Sequence, residues 1–312
     1  MLILRQKKGE IHMAVFEVRL DDSHVQRGND YLIENPKANL LIITGMNEHS
    51  SRYEPFARYL NERGYSVSVL DHWGQGENAE SVEKQELWQR GDWERTQMAL
   101  NLKIQELRKE GKPVYLMGHS CGSFAVQNYL INYPNTADKV VIMGSNGPNN
   151  KTLIALGNMM AKLVTTKKNW DKEAKFLASI SVGAYAKAVK DRKTDLDWLS
   201  FNEENVKRYI DDPYCGHWNS FGFFHEFFQG LNKLYKKKNL QKISKEEHVL
   251  IVAGDSDPVG ANGKGPRALC DMYKKLGMKD VSCIIYSHMR HEILNEVDAE
   301  KPMKDIADFL DR

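Results

Sequence analysis

Short unbroken apolar runs punctuate this chain, and stretches with apolar residues three and four apart fill most of the gaps between the later ones. The first pattern marks strands buried on both faces, and the second marks helices packed on one face. It predicts strands at Met13–Leu20, Asn39–Thr44, Tyr65–Asp71, Val114–His119, Lys139–Ser145, His248–Gly254 and Val281–Tyr286. Strands that alternate with helices need crossover connections. The expected class is therefore α/β, a mostly parallel, doubly wound sheet flanked by helices. Between Gly147 and about Lys238 that rhythm stops and only helical patterns run. Residues 1–146 and 239–312 are expected to form one core, with 147–238 inserted into it as a helical cap.

Composition narrows the class without naming a chemistry. The 312 residues are 41% hydrophobic with a formal net charge of +2, which suits one large domain with an insertion and gives no field strong enough to point to nucleic acid. Met1–Lys8 turns to charge straight after its opening apolar residues and lacks an apolar stretch of signal-peptide length. No segment approaches the roughly 20 apolar residues that span a bilayer, so the cytoplasm is the expected compartment. Cys121, Cys215, Cys270 and Cys283 are scattered and form no Cys-x-x-Cys pair; they are expected to be free thiols, with neither a disulfide framework nor a zinc site. Gly74-x-Gly76 and Gly263-Lys264-Gly265 lack the spacing and flanking elements of nucleotide loops and are expected to be turns.

The chemistry is concentrated at Gly118-His119-Ser120-Cys121-Gly122. It follows the strand Pro113–Met117 and precedes a helix marked by Phe124, Gln127, Asn128 and Ile131, which Pro134 stops. A serine projecting from a sharp strand-to-helix turn sits in strained backbone, and side chains at the flanking positions would collide with neighbouring elements, so glycine is needed there. This is the pattern of a nucleophile elbow. An acid and a base follow downstream in the order that this elbow uses. Asp255 and Asp257 both close the strand His248–Gly254; Asp257 is preferred because it lies past the strand end on a turn fixed by Pro258, whereas Asp255 suits bonding turn amides. His288 and His291 both follow the strand Val281–Tyr286; His291 is preferred because it directly precedes a helical segment expected at Glu292–Val297.

At these residues the chain resembles the α/β-hydrolases that include monoacylglycerol lipases and bacterial lysophospholipase-like proteins, sometimes grouped with serine aminopeptidases. Gly45-Met46-Asn47-Glu48-His49-Ser50-Ser51-Arg52-Tyr53 is similar to the family's loop after the third strand, and Asp71-His72-Trp73-Gly74-Gln75-Gly76 to its Asp-x-x-Gly-His-Gly turn. Asp212–Gly216, Gly254–Gly260 and Arg290–Glu296 are similar to further blocks in bacterial members. The resemblance implies Ser120 as nucleophile, Asp257 as acid and His291 as base, with the backbone N–H groups of Met46 and Cys121 as the oxyanion hole. It departs at Thr44 and Gln75, where the family usually has histidine. Those substitutions bear on the hydrogen bonding of the oxyanion loop, although a backbone donor does not depend on its own side chain.

The expected reaction is two-step acyl transfer on an ester, with no cofactor and no metal. Substrate choice is expected in the cap, where Phe224, Phe227, Phe228 and Leu231 recur at helical spacing. Part of that stripe, with Met159, Met160 and Trp218, is expected to line an acyl-chain tunnel; packing against the core is the other reading of the same stripe. From Lys151 to Lys193 the cap carries ten Lys/Arg against three acids, either a solvated face or a surface drawn to anionic lipid. Cys121 opens a helix whose positive end lowers a thiol pKa, which would make it oxidant-sensitive unless it is buried. An aminopeptidase of the same fold would need an acidic cluster in the cap, and a non-catalytic ligand-binding protein is the remaining alternative.

Overall fold

Three strands, β3 (Ala38–Ile43), β4 (Tyr65–Leu70) and β5 (Val114–His119), have every position buried, as the unbroken apolar runs require. They lie at the centre of an eight-stranded sheet in a computed structural model that describes residues 12–312. Met1–Lys8, read above for a signal peptide, lies outside the described residues. The remaining strands are β1 (His12–Arg19), β2 (Val25–Leu32), β6 (Lys139–Met143), β7 (His248–Gly254) and β8 (Asp280–Tyr286), in the order β1-β2-β4-β3-β5-β6-β7-β8. All neighbours from β4 to β8 pair parallel; β1 and β2 pair antiparallel at one edge.

Strand residues alternate between two apolar cores. Leu41, Ile43, Leu116 and Ile142 join α2 (Asp92–Arg108), α3 (Cys121–Asn132) and α9 (Lys264–Lys275) on one face. Leu40, Ile42, Met117 and Val141 join α1 (Glu54–Asn61) and α10 (Glu300–Asp311) on the other. The chain passes from β3 out to β4 and returns across β3 to β5, so helices leave in opposite directions from adjacent strands. A crevice opens there, at the carboxyl ends of β3 and β5.

Every predicted strand is present within one or two residues of its expected ends. β2 was not predicted, because its inward positions are Gln26, Gly28 and Asp30. Each has a specific reason to be inside. Gln26 donates to the Asp71 carbonyl (2.6 Å), Asp30 accepts from the Ser68 hydroxyl (2.5 Å), and a Cβ on Gly28 would stand 2.0 Å from the Val69 carbonyl oxygen. The helix expected at Glu292–Val297 is a single 3-10 turn, Ile293–Asn295, and the final helix is α10.

Between β6 and β7 stand α4 (Lys151–Val164), α5 (Lys175–Ala188), α6 (Glu203–Asp211), α7 (Phe221–Leu234) and the short α8 (Lys237–Leu240). α7 is continuous with the core: Phe223 meets Trp88 edge-on at 4.8 Å between ring centroids, and Phe227 meets Trp93 and Phe124, each at 5.9 Å.

Candidate active site

Ser120 sits between β5 and α3 at φ 50°, ψ −117°, a backbone conformation that residues other than glycine rarely take. Its neighbours make the turn possible. A Cβ on Gly118 would lie 2.4 Å from the Gly122 carbonyl oxygen, and one on Gly122 would lie 2.4 Å from the carbonyl oxygens of both Ile43 and Thr44. Those contacts are with backbone, which cannot rotate away. The Ser120 N–H is anchored on the Met143 carbonyl (3.0 Å), which fixes the elbow against β6.

His291 and Asp257 meet at 3.0 Å, Nδ1 to Oδ2, and are 2% and 0% exposed. The second Asp257 oxygen accepts the Val259 N–H (2.8 Å), so the carboxylate is held on both sides. The His291 ring lies between those of His119 (4.8 Å) and Trp198 (5.1 Å), and its Nε2 has no hydrogen-bond partner among the described residues. Asp255 and His288 are elsewhere. Asp255 accepts the His288 N–H and the Ser256 hydroxyl, and the His288 ring stacks on Phe201 at 4.1 Å.

The loop after β3 is braced by the two residues that depart from the family pattern. The Thr44 hydroxyl donates to Gln75 Oε1 (3.0 Å), while Gln75 Nε2 donates to the Gly45 carbonyl (2.9 Å). The His72 N–H also donates to Gln75 Oε1 (3.1 Å), and these two backbone partners fix which end of the amide is oxygen. Thr44 and Gln75 thus act as a matched pair. The N–H of Cys121, in the first turn of α3, has no intrahelical acceptor, as at any helix start. Its thiol is fully buried, and desolvation pushes its pKa well above the usual value, so the helix end does not produce an exposed thiolate.

Ser120 and His291 line one cavity of about 470 Å³, with Met46 beside them. Phe124, Ile154, Met160, Leu177, Phe224, Phe227, Phe228 and Leu231 form much of its apolar wall. Of the residues expected along the tunnel, Met160 and the α7 stripe, Phe224 included, line it, whereas Met159 and Trp218 do not. Met159, one position round α4 from Met160, is 53% exposed, and Trp218 is 45% exposed with the Lys175 ammonium 5.8 Å from its ring centroid. The stripe on α7 serves both readings, since Phe224 and Phe227 pack in the core and also face the cavity. Leu153, Leu156 and Ile180 line the cavity while remaining 64%, 48% and 47% exposed, so its mouth opens between α4 and α5.

Beneath the site runs a buried charged network that the sequence did not reveal as such. Glu48 accepts from His119 Nδ1 (3.0 Å), the Tyr53 hydroxyl (2.8 Å) and the Gly45 N–H (2.5 Å). Arg52 bridges Glu48 (2.9 Å) and both oxygens of Glu292 (2.7 and 2.8 Å). Burial alone would raise the Glu48 carboxyl, but His119 and Arg52 outweigh it and hold it well below the usual range. Burial likewise works to lower His119, and the bond and charge of Glu48 leave it raised. Glu48 and Arg52 stood in a family-like block and His119 stood inside the elbow, so their positions were visible while their pairing was not. Glu86, also buried here, lies in an irregular loop that gave no signal.

Residues 34–298 match the family model described as serine aminopeptidase, S33. The chain is 22% identical over 284 residues to a monoacylglycerol lipase of Mycolicibacterium smegmatis, covering 88% of this chain and 89% of that protein. It is 26% identical over 294 residues to a monoglyceride lipase homolog of Monkeypox virus, covering 90% and 95%. Among solved structures, a thermostable carboxyl esterase from Bacillus coagulans in complex with glycerol superposes with a TM-score of 0.83 at 22% identity, over 97% of this chain and 99% of that one. With its doubly wound sheet, its serine elbow and a match spanning most of its length, the chain belongs to the serine aminopeptidase, S33, family of α/β-hydrolases.

Proposed function

We propose that this chain is a serine hydrolase of carboxylic esters, acting on a monoacylglycerol or lysophospholipid through an acyl-serine intermediate. The observation that carries the proposal is His291, held by Asp257 at Nδ1 and unpartnered at Nε2, in the same cavity as the strained Ser120. In this mechanism His291 Nε2 takes the Ser120 proton as Oγ attacks the ester carbonyl. The N–H groups of Met46 and Cys121 bind the oxyanion, and His291 returns the proton to the departing alcohol. Water, deprotonated by the same imidazole, then releases the acid. Asp257 keeps the proton on Nδ1, so that Nε2 is free to accept the Ser120 proton as the serine attacks.

The apolar wall favours an acyl chain, and the lipase names of the relatives agree with that choice. A peptidase would need a free carboxylate to hold a substrate amine. Glu48 and Glu292 reach the cavity lining, but Arg52 engages both. The test is hydrolysis of 1-monoacylglycerols, lysophosphatidylcholines and aminoacyl p-nitroanilides side by side with Ser120→Ala. Serine-dependent release of fatty acid supports the proposal; turnover of the anilides alone overturns it.

The two helices that flank the mouth, α4 and α5, also carry exposed apolar and basic residues. Leu163 and Phe176 are 75% and 62% exposed near Lys162 and Lys175, which suits docking on an anionic lipid surface from which the substrate enters. Co-sedimentation with vesicles of neutral and anionic phospholipid tests this, and equal, negligible binding to both would contradict it.

A further inference from the structure

Asn47, next to the oxyanion residue Met46, has φ +60°, so the loop makes a left-handed turn there. Its two ends are secured by buried carboxyl groups. Glu48 takes the Gly45 N–H (2.5 Å), and Glu86 Oε1 takes the Asn47 N–H (2.7 Å), leaving the Met46 N–H between two tethered peptides. Gln75 Nε2 joins Glu86 Oε1 (2.9 Å) to the brace it already makes with Thr44 and the Gly45 carbonyl. The other Glu86 oxygen accepts from Asn219 Nδ2 (2.8 Å), and the Glu86 carbonyl accepts the Ser220 N–H (3.2 Å), both at the start of α7. Insertion residues also hold the Asn47 carbonyl, through the Gly216 N–H (3.1 Å) and the Tyr209 hydroxyl (2.6 Å).

We propose that Glu86 is a positioning residue for the oxyanion hole: with Gln75 it sets the direction of the Met46 N–H, and through Asn219 it ties that donor to the insertion that forms the substrate cavity. The inference rests on the ester-hydrolase reading above and adds a residue outside every motif. It makes the insertion part of the oxyanion machinery as well as a wall for the acyl chain. Glu86 is 1% exposed and itself at φ +64°, so the carboxyl is placed by the fold and not by a flexible surface side chain. Burial pushes this carboxyl up to about 8, against the donors from Gln75, Asn47 and Asn219 that lower it. An uncharged group can therefore do the same work. In Glu86→Gln the side-chain oxygen keeps Asn47 and Gln75, while the new amide faces Asn219, whose Oδ1 is unpartnered among the described residues and accepts after a flip. In Glu86→Ala the donors on Asn47, Gln75 and Asn219 lose their acceptor.

The experiment measures kcat and KM on an ester substrate and the affinity for an alkyl trifluoromethyl ketone, whose serine adduct places a negative oxygen in the hole. A fluorophosphonate counts competent active sites, so that unfolded protein does not enter the rates. Glu86→Ala is expected to lose kcat/KM and ketone affinity together by about 10²–10³, the scale of one oxyanion donor, with KM within twofold. Glu86→Gln is expected to rescue both to within about threefold of wild type. Should Glu86→Ala fail to fold, Gln75→Met provides the same readout, with at least a tenfold joint loss expected. A variant that lowers Tm while leaving ketone affinity within threefold overturns the proposal, as does a Glu86→Gln variant as impaired as Glu86→Ala. A wild-type enzyme without Ser120-dependent turnover would instead remove the ester-hydrolase reading itself.

Discussion

The Asp257 carboxylate serves one partner with each oxygen, the His291 ring and the Val259 N–H, whereas Asp255 accepts the His288 N–H and the Ser256 hydroxyl and does not reach the imidazole of His291. In the proposed mechanism only the first can set the imidazole tautomer. Asp257→Asn should lower kcat by about 10⁴, while Asp255→Asn should stay within a few-fold, measured on Ser120-dependent ester turnover. A large loss in the second variant alone would move the acid role. At this scale the sequence was informative wherever backbone sterics dictate a residue: Gly118 and Gly122 are needed because a Cβ on either would meet backbone oxygen at 2.4 Å. It was silent on Glu86, since a carboxyl on an irregular loop carries no period and its partners lie 39 residues back at Asn47 and 133 on at Asn219.

At the level of elements, legibility followed burial by apolar side chains. β3 to β7 announced themselves as apolar runs, whereas β2 is buried through a glutamine, a glycine and an aspartate whose partners on the neighbouring strand and loop cannot be read locally. α7 was legible as an apolar stripe, but its two roles were not separable without the fold. Phe224 is 1% exposed, and its replacement by Ala should cost about 3–5 kcal/mol of stability. Phe228 is only half-buried and fills the crossing with α4, where a Cβ on Gly157 would come within 2.6 Å of its ring. Phe228→Ala should cost less stability and move the acyl-chain optimum to longer chains, as read from chain-length profiles and thermal melts. An unchanged profile would place the chain elsewhere in the cavity.

For the molecule as a whole, buried ionisable groups set the direction of the pH response. Burial raises the carboxyls of Glu86, up to about 8, and of Asp71, so both are protonated in the fold at a pH where they ionise in the unfolded chain. Stability therefore falls as pH rises from about 4 through those raised values. His119 is raised as well, so its contribution is complete below about 6.5 and is lost as pH climbs through its folded value. Glu48 and Glu292 are lowered; their contributions are present above about 4.3 and disappear as pH falls through their folded values. Melting temperature should thus decline from pH 6 to pH 9, and more shallowly in Glu86→Gln; a Tm that rises over that range would contradict the assignment. The central claim, however, is chemical, and it is tested most directly by hydrolysis of p-nitrophenyl esters from acetate to palmitate with wild type and Ser120→Ala in parallel. Turnover at one or more chain lengths that vanishes in Ser120→Ala is the predicted result; a folded wild type with no Ser120-dependent turnover at any length would contradict it.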